Sequence, residues 1–211
     1  MAIAPDPAFW NNLAEQYAAK PVDNPAAFER KIEITKSKMS PDDVVLDIGC
    51  GTGSLALILA PFAKHVHGLD VSPEMMRIAR GKAEAQGAGN VTFHTGAFDD
   101  SVSFAPGSLD GICAYSILHL IDDWEAALTR IFELVKPGGF FVSSTVCLGD
   151  SWVPYRPLLA VMRWAGKAPL VKIVAREELA DAARRAGFVD ITFPDVGAKE
   201  TTAFMVARRP A

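Results

Sequence analysis

The sequence predicts a doubly wound α/β fold: a mainly parallel, seven-stranded sheet whose last strand runs antiparallel. Three observations carry this expectation. Short runs of β-forming residues alternate with helical patterns along the chain, as in strands joined by crossover helices that cover both faces of a parallel sheet. The first such run ends in glycines, at the carboxyl edge where open α/β sheets bind ligands. Half of the 211 residues are hydrophobic and 22% are charged, which supplies a buried core and excludes a disordered chain. The length suits a single domain over 1–211, with a helical N-terminal cap at 1–40 and an insert after strand five at 147–176.

Each element has a local cause. Trp10, Leu13, Ala14 and Tyr17 recur at helical spacing and share one face. Asn24 before Pro25 is a cap and first-turn pair that opens a second helix, with Phe28 and Ile32 on one side. Val44–Ile48 is the first strand, and a helix follows from about Ser54 to Phe62. His65–Asp70 is the second strand. Ser72, Pro73 and Glu74 then supply a cap, a first-turn proline and an early acid that favours the helix dipole. Val91–Thr95 and Leu109–Tyr115 are strands three and four. A helix over Asp123–Val135 stops at Pro137-Gly138-Gly139, and Phe140–Val146 is strand five. Gly187 ends a helix over Glu177–Ala186. Phe188–Phe193 and Thr202–Ala207 lie close enough to pair as an antiparallel hairpin on the sheet edge.

Several classes are excluded. No stretch supplies the ~18 uncharged residues that cross a bilayer, and Met1–Pro7 lacks the basic start and apolar centre of a signal peptide. A reduced, cytoplasmic setting is therefore expected. Cys50, Cys113 and Cys147 are odd in number and widely spaced, form neither a disulfide nor a zinc framework, and read as packing residues. No metal is expected. A net charge of −4 argues against broad contact with a nucleic-acid backbone.

The chemistry concentrates in Val45-Leu46-Asp47-Ile48-Gly49-Cys50-Gly51-Thr52-Gly53. Glycines between a strand and a helix let the backbone turn tightly and approach a ligand. Asp70 ends the next strand, where a carboxylate can accept both hydroxyls of an adenosine ribose. The structural alternatives are a plain tight turn and a helix-cap acid. A dinucleotide site reads G-x-G-x-x-G, and Ser54 stands where its third glycine belongs. The spacing instead resembles motif I of class I S-adenosylmethionine-dependent methyltransferases, in the type 11/12 small-molecule group.

The resemblance runs from about residue 10 to 208. Gly68-Leu69-Asp70-Val71-Ser72 with Met75 is similar to the family's next motif, and Ser108-Leu109-Asp110 with Leu118-His119-Leu120 to its fourth-strand motif. Val135-Lys136-Pro137-Gly138-Gly139 resembles the turn before strand five, and Ala186-Gly187-Phe188 the entry to strand six. It implies a Rossmann-like fold, S-adenosylmethionine as methyl donor and S-adenosylhomocysteine as product. On this resemblance Gly49, Cys50 and Gly51 line the methionine part of the donor, with Gly53 in the same loop, and Asp47 accepts from its ammonium group. Asp70 holds the ribose diol, while Val71 and Met75 pack on the adenine. Family members often carry Gly-Asp-Ala-Glu after strand three. This chain has Gly96-Ala97-Phe98-Asp99, so Asp99 or the backbone at Ala97 and Phe98 must meet the adenine edge. Tyr115, ending strand four, joins the cofactor set.

Trp10 and Tyr17 either pack on the core or cover the cofactor pocket, Tyr17 as a cofactor contact and Trp10 on the acceptor side. His119 follows strand four and either takes a proton from the acceptor or packs as a hydrogen-bonded core residue. His65, His67 and His94 lie within strands, without metal-ligand company. Ser151–Arg176 carries Arg156, Arg163, Lys167, Lys172 and Arg176 with no acid, plus Trp152, Tyr155 and Trp164. It reads as a solvated helix, as a membrane-surface helix, or as a lid in which Tyr155 and Trp164 shape the pocket and Arg156 orients an anionic group. The expected function is methyl transfer to O, N or C of a small molecule, apolar or anionic, by a monomer or homodimer with no nucleic-acid partner and no stable membrane insertion. The alternatives are a nucleic-acid methyltransferase and a non-catalytic cofactor-binding regulator on the same fold. Exocyclic-amine enzymes of the former kind carry Asn/Asp-Pro-Pro-aromatic after strand four, where this chain has Ala114-Tyr115-Ser116-Ile117.

Overall fold

The computed structural model describes residues 7–99, 103–164 and 168–211, apart from the Arg156 side chain. The chain runs α1 (Pro7–Ala19), α2 (Pro25–Lys36), β1 (Val44–Ile48), α3 (Ser54–Leu59), β2 (His65–Asp70), α4 (Pro73–Gln86), β3 (Val91–Thr95), β4 (Leu109–Tyr115), α5 (Trp124–Leu134), β5 (Val135–Val146), α6 (Tyr155–Trp164), α7 (Arg176–Ala186), β6 (Val189–Thr192) and β7 (Thr202–Arg208). Short 3-10 turns at Ala60–Phe62, Leu118–Leu120 and Leu148–Asp150 extend or link them.

The local signals act as expected. Asn24 Oδ1 accepts from the Ala27 N–H at 3.0 Å with Pro25 in the first turn, and Ser72 Oγ accepts from Met75 N–H at 3.1 Å. Asp123 caps α5 through Ala126 N–H at 3.1 Å. One boundary moves. The expected loop at Pro137-Gly138-Gly139 is part of β5, which starts at Val135 because Val135 pairs with Leu109. Two residues on, Gly111 pairs with Phe140, so the slip places the prolyl-glycyl stretch in an irregular bulge. Gly111 is required there, since a Cβ would lie 2.1 Å from the Phe140 ring.

The strand order is β3-β2-β1-β4-β5-β7-β6. Strands β1 to β5 pair in parallel, and β7 runs antiparallel between β5 and β6, which takes the edge. Alternate residues feed two apolar layers. Leu46, Ile48, Leu69, Ile112 and Phe141 pack under α5 and α7. Val45, Val66, Cys113 and Val142 pack with residues of α1 to α4. Chain order reverses about β1, whose neighbours are β2 and β4, and the crevice beyond their carboxyl ends is where such sheets bind ligands. Among the described residues no helix is long and apolar enough to cross a membrane, and the three cysteines are free thiols.

Candidate cofactor and acceptor site

A cavity of about 250 Å³ opens at that crevice. Its floor is the glycine loop. Gly49, Gly51 and Gly53 have φ of 66°, 53° and 75°, values that exclude most side chains. Gly49 N–H and Cys50 N–H both donate to Leu69 O, at 2.7 and 3.0 Å, which ties the loop to the end of β2. Gly51 faces open space, since a Cβ there would meet only the Tyr17 ring, at 3.5 Å. Gly49 is wedged against Ile117, whose side chain would stand 2.6 Å from an added Cβ.

Asp70 joins the two loops of the site. Its Oδ2 accepts from Gly51 N–H at 3.0 Å and its Oδ1 from Ser72 N–H at 2.9 Å. Burial raises its pKa, and these N–H donors pull it back in part. Each carboxylate oxygen keeps a second lone pair for a ligand in the cavity. Val71, Met75, Leu69, Ala97, Phe98 and Asp99 form the wall beside it. Helix α1 lies over the opening and contributes Trp10 and Tyr17. Asn11 Oδ1 accepts from Ser72 Oγ at 2.6 Å, and Glu15 pairs with Arg77, so α1 is fastened to α4.

Tyr115 and His119 line the far side. Tyr115 Oη meets Thr35 Oγ1 at 2.8 Å and Lys31 O at 3.1 Å, which fastens α2 to β4 and leaves the ring as wall. Burial pushes its phenol further up, so it is no base. His119 is buried with Nδ1 unpartnered, and burial lowers its pKa to about 4, so the ring is neutral at pH 7. Its backbone oxygen accepts from Lys172 N–H at 2.7 Å.

Three residues expected to contact the cofactor are not in the wall. Gly53 caps α3 from beneath, where a Cβ would meet Phe93 at 2.7 Å and Ala79 at 2.9 Å, so it serves helix–strand packing. Cys50 turns its sulfur towards Gly68, and burial with nearby Asp47 and Asp70 holds the thiol protonated. Asp47 is 1% exposed and neither carboxyl oxygen has a hydrogen-bond partner. Burial, then the negative charge of Asp70, raise its pKa well above the usual carboxylate range; the Ala56 amide, outside hydrogen-bonding geometry, offsets little. The acceptor residues expected on the insert also lie elsewhere. Tyr155 and Trp164 do not line the cavity, and Trp164 is 90% exposed; none of the described side chains of α6 is buried. The Arg156 side chain lies outside the described residues.

The cavity also recruits Ile48, Gly96, Ser116, Ile117, Leu120 and Ile121. Ser116 has φ 58°, a strained value for a non-glycine residue at the edge of the site. The position of 116–121 just after a strand end was the available signal for these residues; their aliphatic character otherwise reads as core. Among the described residues no group of three His, Cys, Asp or Glu could hold a metal.

The wall therefore combines an apolar slot with a carboxylate at the end of β2, and a buried, unpartnered carboxyl lies behind it under the loop. That set fits an adenosine with a cationic tail. Residues 45–139 match the family model described as a methyltransferase domain. The chain is 28% identical over 193 residues to the O-methyltransferase cnsE of Penicillium expansum, covering 89% of this chain and 66% of that protein. It is 33% identical over 102 residues to a ubiquinone biosynthesis O-methyltransferase of Xylella fastidiosa, covering 48% and 41%. The chain thus spans about two thirds or less of the length of these relatives. Among solved structures, Haemonchus contortus phosphoethanolamine N-methyltransferase 2 in complex with S-adenosyl-L-methionine shares the fold, with a TM-score of 0.76 at 19% identity over 95% of this chain and 56% of that one.

Proposed function

We propose that the chain, whose residues 45–139 match the family model of a methyltransferase domain, binds S-adenosylmethionine in this cavity and moves its methyl group to an O, N or C atom of a small molecule. The observation that carries the reading is Asp70, held by Gly51 and Ser72 at the mouth of the glycine loop and facing the cavity. In this reading Asp70 accepts the ribose hydroxyls, Val71, Met75 and Phe98 sandwich the base, and Asp99 with the Ala97 and Phe98 backbone meets its edge. The backbone at Gly49 and Gly51 takes the amino-acid tail, whose ammonium sits in the field of Asp47.

The bound donor brings a sulfonium methyl, already a strong electrophile. The protein's work is then to hold the acceptor in line and to keep water out. Ile117, Leu120, Ile121 and Trp10 supply an apolar wall for that purpose. His119, neutral at pH 7 and with a free Nδ1, orients an acceptor by hydrogen bonding and is a poor proton acceptor in its own right. The two relatives named O-methyltransferases, one of them for ubiquinone biosynthesis, support an oxygen atom as the acceptor.

Titration of the purified chain tests the cofactor assignment. S-adenosylmethionine and S-adenosylhomocysteine should both bind, and NAD at the same concentrations should not. Tight NAD binding without either sulfur nucleoside would overturn it.

A further inference from the structure

Three of the chain's four histidines, His65, His67 and His94, meet on one face of the sheet, outside the cavity wall. In sequence they have no ligand company, because His94 stands far from the other two; the fold supplies it. Strand alternation sets His65 and His67 on the face of β2 that Leu69 shares, and the parallel register with β3 brings Thr92 and His94 onto that face. His67 Nδ1 and His94 Nε2 are then 3.1 Å apart. The His65 ring lies 4.6 Å from that of His67, and its Nε2 meets Thr92 Oγ1 at 2.9 Å. Phe104, from the loop before β4, packs edge-on against His67 at 5.2 Å and His94 at 5.7 Å and holds both rings in place. The three imidazoles are half-buried and Thr92 is exposed, so water reaches the cluster.

We propose that His67 and His94 are the two protein ligands of a site for a divalent transition-metal ion of the nickel, copper and zinc kind, which clamps β2 to β3. Imidazole nitrogen holds such ions at about 2.0–2.1 Å. Two nitrogens 3.1 Å apart then subtend about 100° at a shared ion, between the right angle of square-planar sites and the wider tetrahedral one. A hydrogen bond between two imidazole nitrogens requires that one of them already carries no proton. The other ring frees its nitrogen by shifting its proton to the opposite nitrogen of the same ring, so the ion takes the place of the hydrogen bond. Among the described residues no third His, Cys, Asp or Glu completes the set, so water fills the remaining positions. Magnesium prefers oxygen ligands and gains nothing from this pair. The clamp sits just below the cavity: Asp70 ends β2 soon after His67, and Gly96 to Asp99 of the wall follow His94.

Calorimetric titration of the full chain, free of any affinity tag, with Ni²⁺, Zn²⁺ and Mg²⁺ tests it. One Ni²⁺ or Zn²⁺ should bind per chain, and Mg²⁺ should not. The second imidazole acts as an intramolecular ligand, so His67→Gln and His94→Gln should each weaken Ni²⁺ binding about a hundredfold. Saturating Ni²⁺ should raise the thermal midpoint of the parent and leave those of the variants where they are. Proton magnetic resonance of the parent keeps the test sharp if a variant misfolds. Paramagnetic Ni²⁺ should broaden the ring signals of His67 and His94 and spare that of His119, which follows β4 and is separated from β2 by β1. Binding at millimolar concentrations only, variants that bind as the parent does, or equal broadening of all four rings would overturn the proposal. So would an ion that is lost with Cys50→Ser and kept by both histidine variants. None of these readouts uses the methyl donor, so a failure here is separate from a failure of the cofactor assignment.

Discussion

Asp70→Ala should weaken S-adenosylmethionine binding about a hundredfold, while Asp99→Ala changes it far less. Two hydrogen bonds from the ribose diol to a charged acceptor are worth about 3 kcal/mol together, which is that factor in affinity. The substitution also strips the acceptor from Gly51 N–H and Ser72 N–H, so the glycine loop and the start of α4 lose their common anchor. Asp70→Asn separates the two effects. An amide keeps one oxygen for the loop but turns an N–H₂ against the other backbone donor, so its affinity should fall between those of the parent and Asp70→Ala. Asp99 lines the cavity after strand three, where the chain departs from the family's Gly-Asp-Ala-Glu. Calorimetric titration of the three variants reads the result, and equal losses at 70 and 99 would place the ribose elsewhere.

Asp47→Asn should move stability and binding in opposite directions. Burial raises the folded pKa of Asp47 above its ordinary value, so folding is favoured by the protonated form. Below the unfolded pKa of about 4 both states are protonated and nothing is lost. As pH rises towards the folded pKa, the unfolded chain ionises freely and the folded one resists, so the donor-free protein loses stability. An asparagine cannot ionise. Its thermal midpoint without donor should exceed the parent's at about pH 8, and the gap should close as pH falls towards about 4. Donor binding should weaken about tenfold, because the ammonium loses a negative charge beneath the loop. A variant less stable than the parent at every pH would mean that the carboxylate is satisfied in the folded chain.

These expectations draw on features that were legible to very different degrees. Strand ends, caps and the glycine loop were readable because their causes are local: Asn24, Ser72 and Asp123 bond to backbone within three residues, and Gly187 closes α7 by its own φ. The early start of β5 was not, since it depends on the slip against Leu109 and Gly111 across the sheet. Asp70, Gly49 and Gly51 could be named from spacing. Gly53 and Cys50 share that spacing, yet Phe93 and Gly68, brought in by neighbouring strands, decide that they pack beneath the loop. Ile117, Leu120 and Ile121 look like core until the fold opens a cavity beside them. For the insert, composition showed a basic and aromatic segment and nothing of its orientation. Which way Trp164 faces was set by how α6 docks, and a ten-residue helix apolar on two sides leaves that open in one dimension.

The most direct measurement is transfer of isotopically labelled methyl from S-adenosylmethionine into a metabolite extract by the purified chain, with Asp70→Ala run beside it. Label should enter a small-molecule fraction, S-adenosylhomocysteine should accumulate in equal amount, and the variant should lose both at the same donor concentration. Donor that binds normally yet leaves no label in any small molecule, from extracts that do support transfer by a known methyltransferase, would contradict methyl transfer as the function of this site.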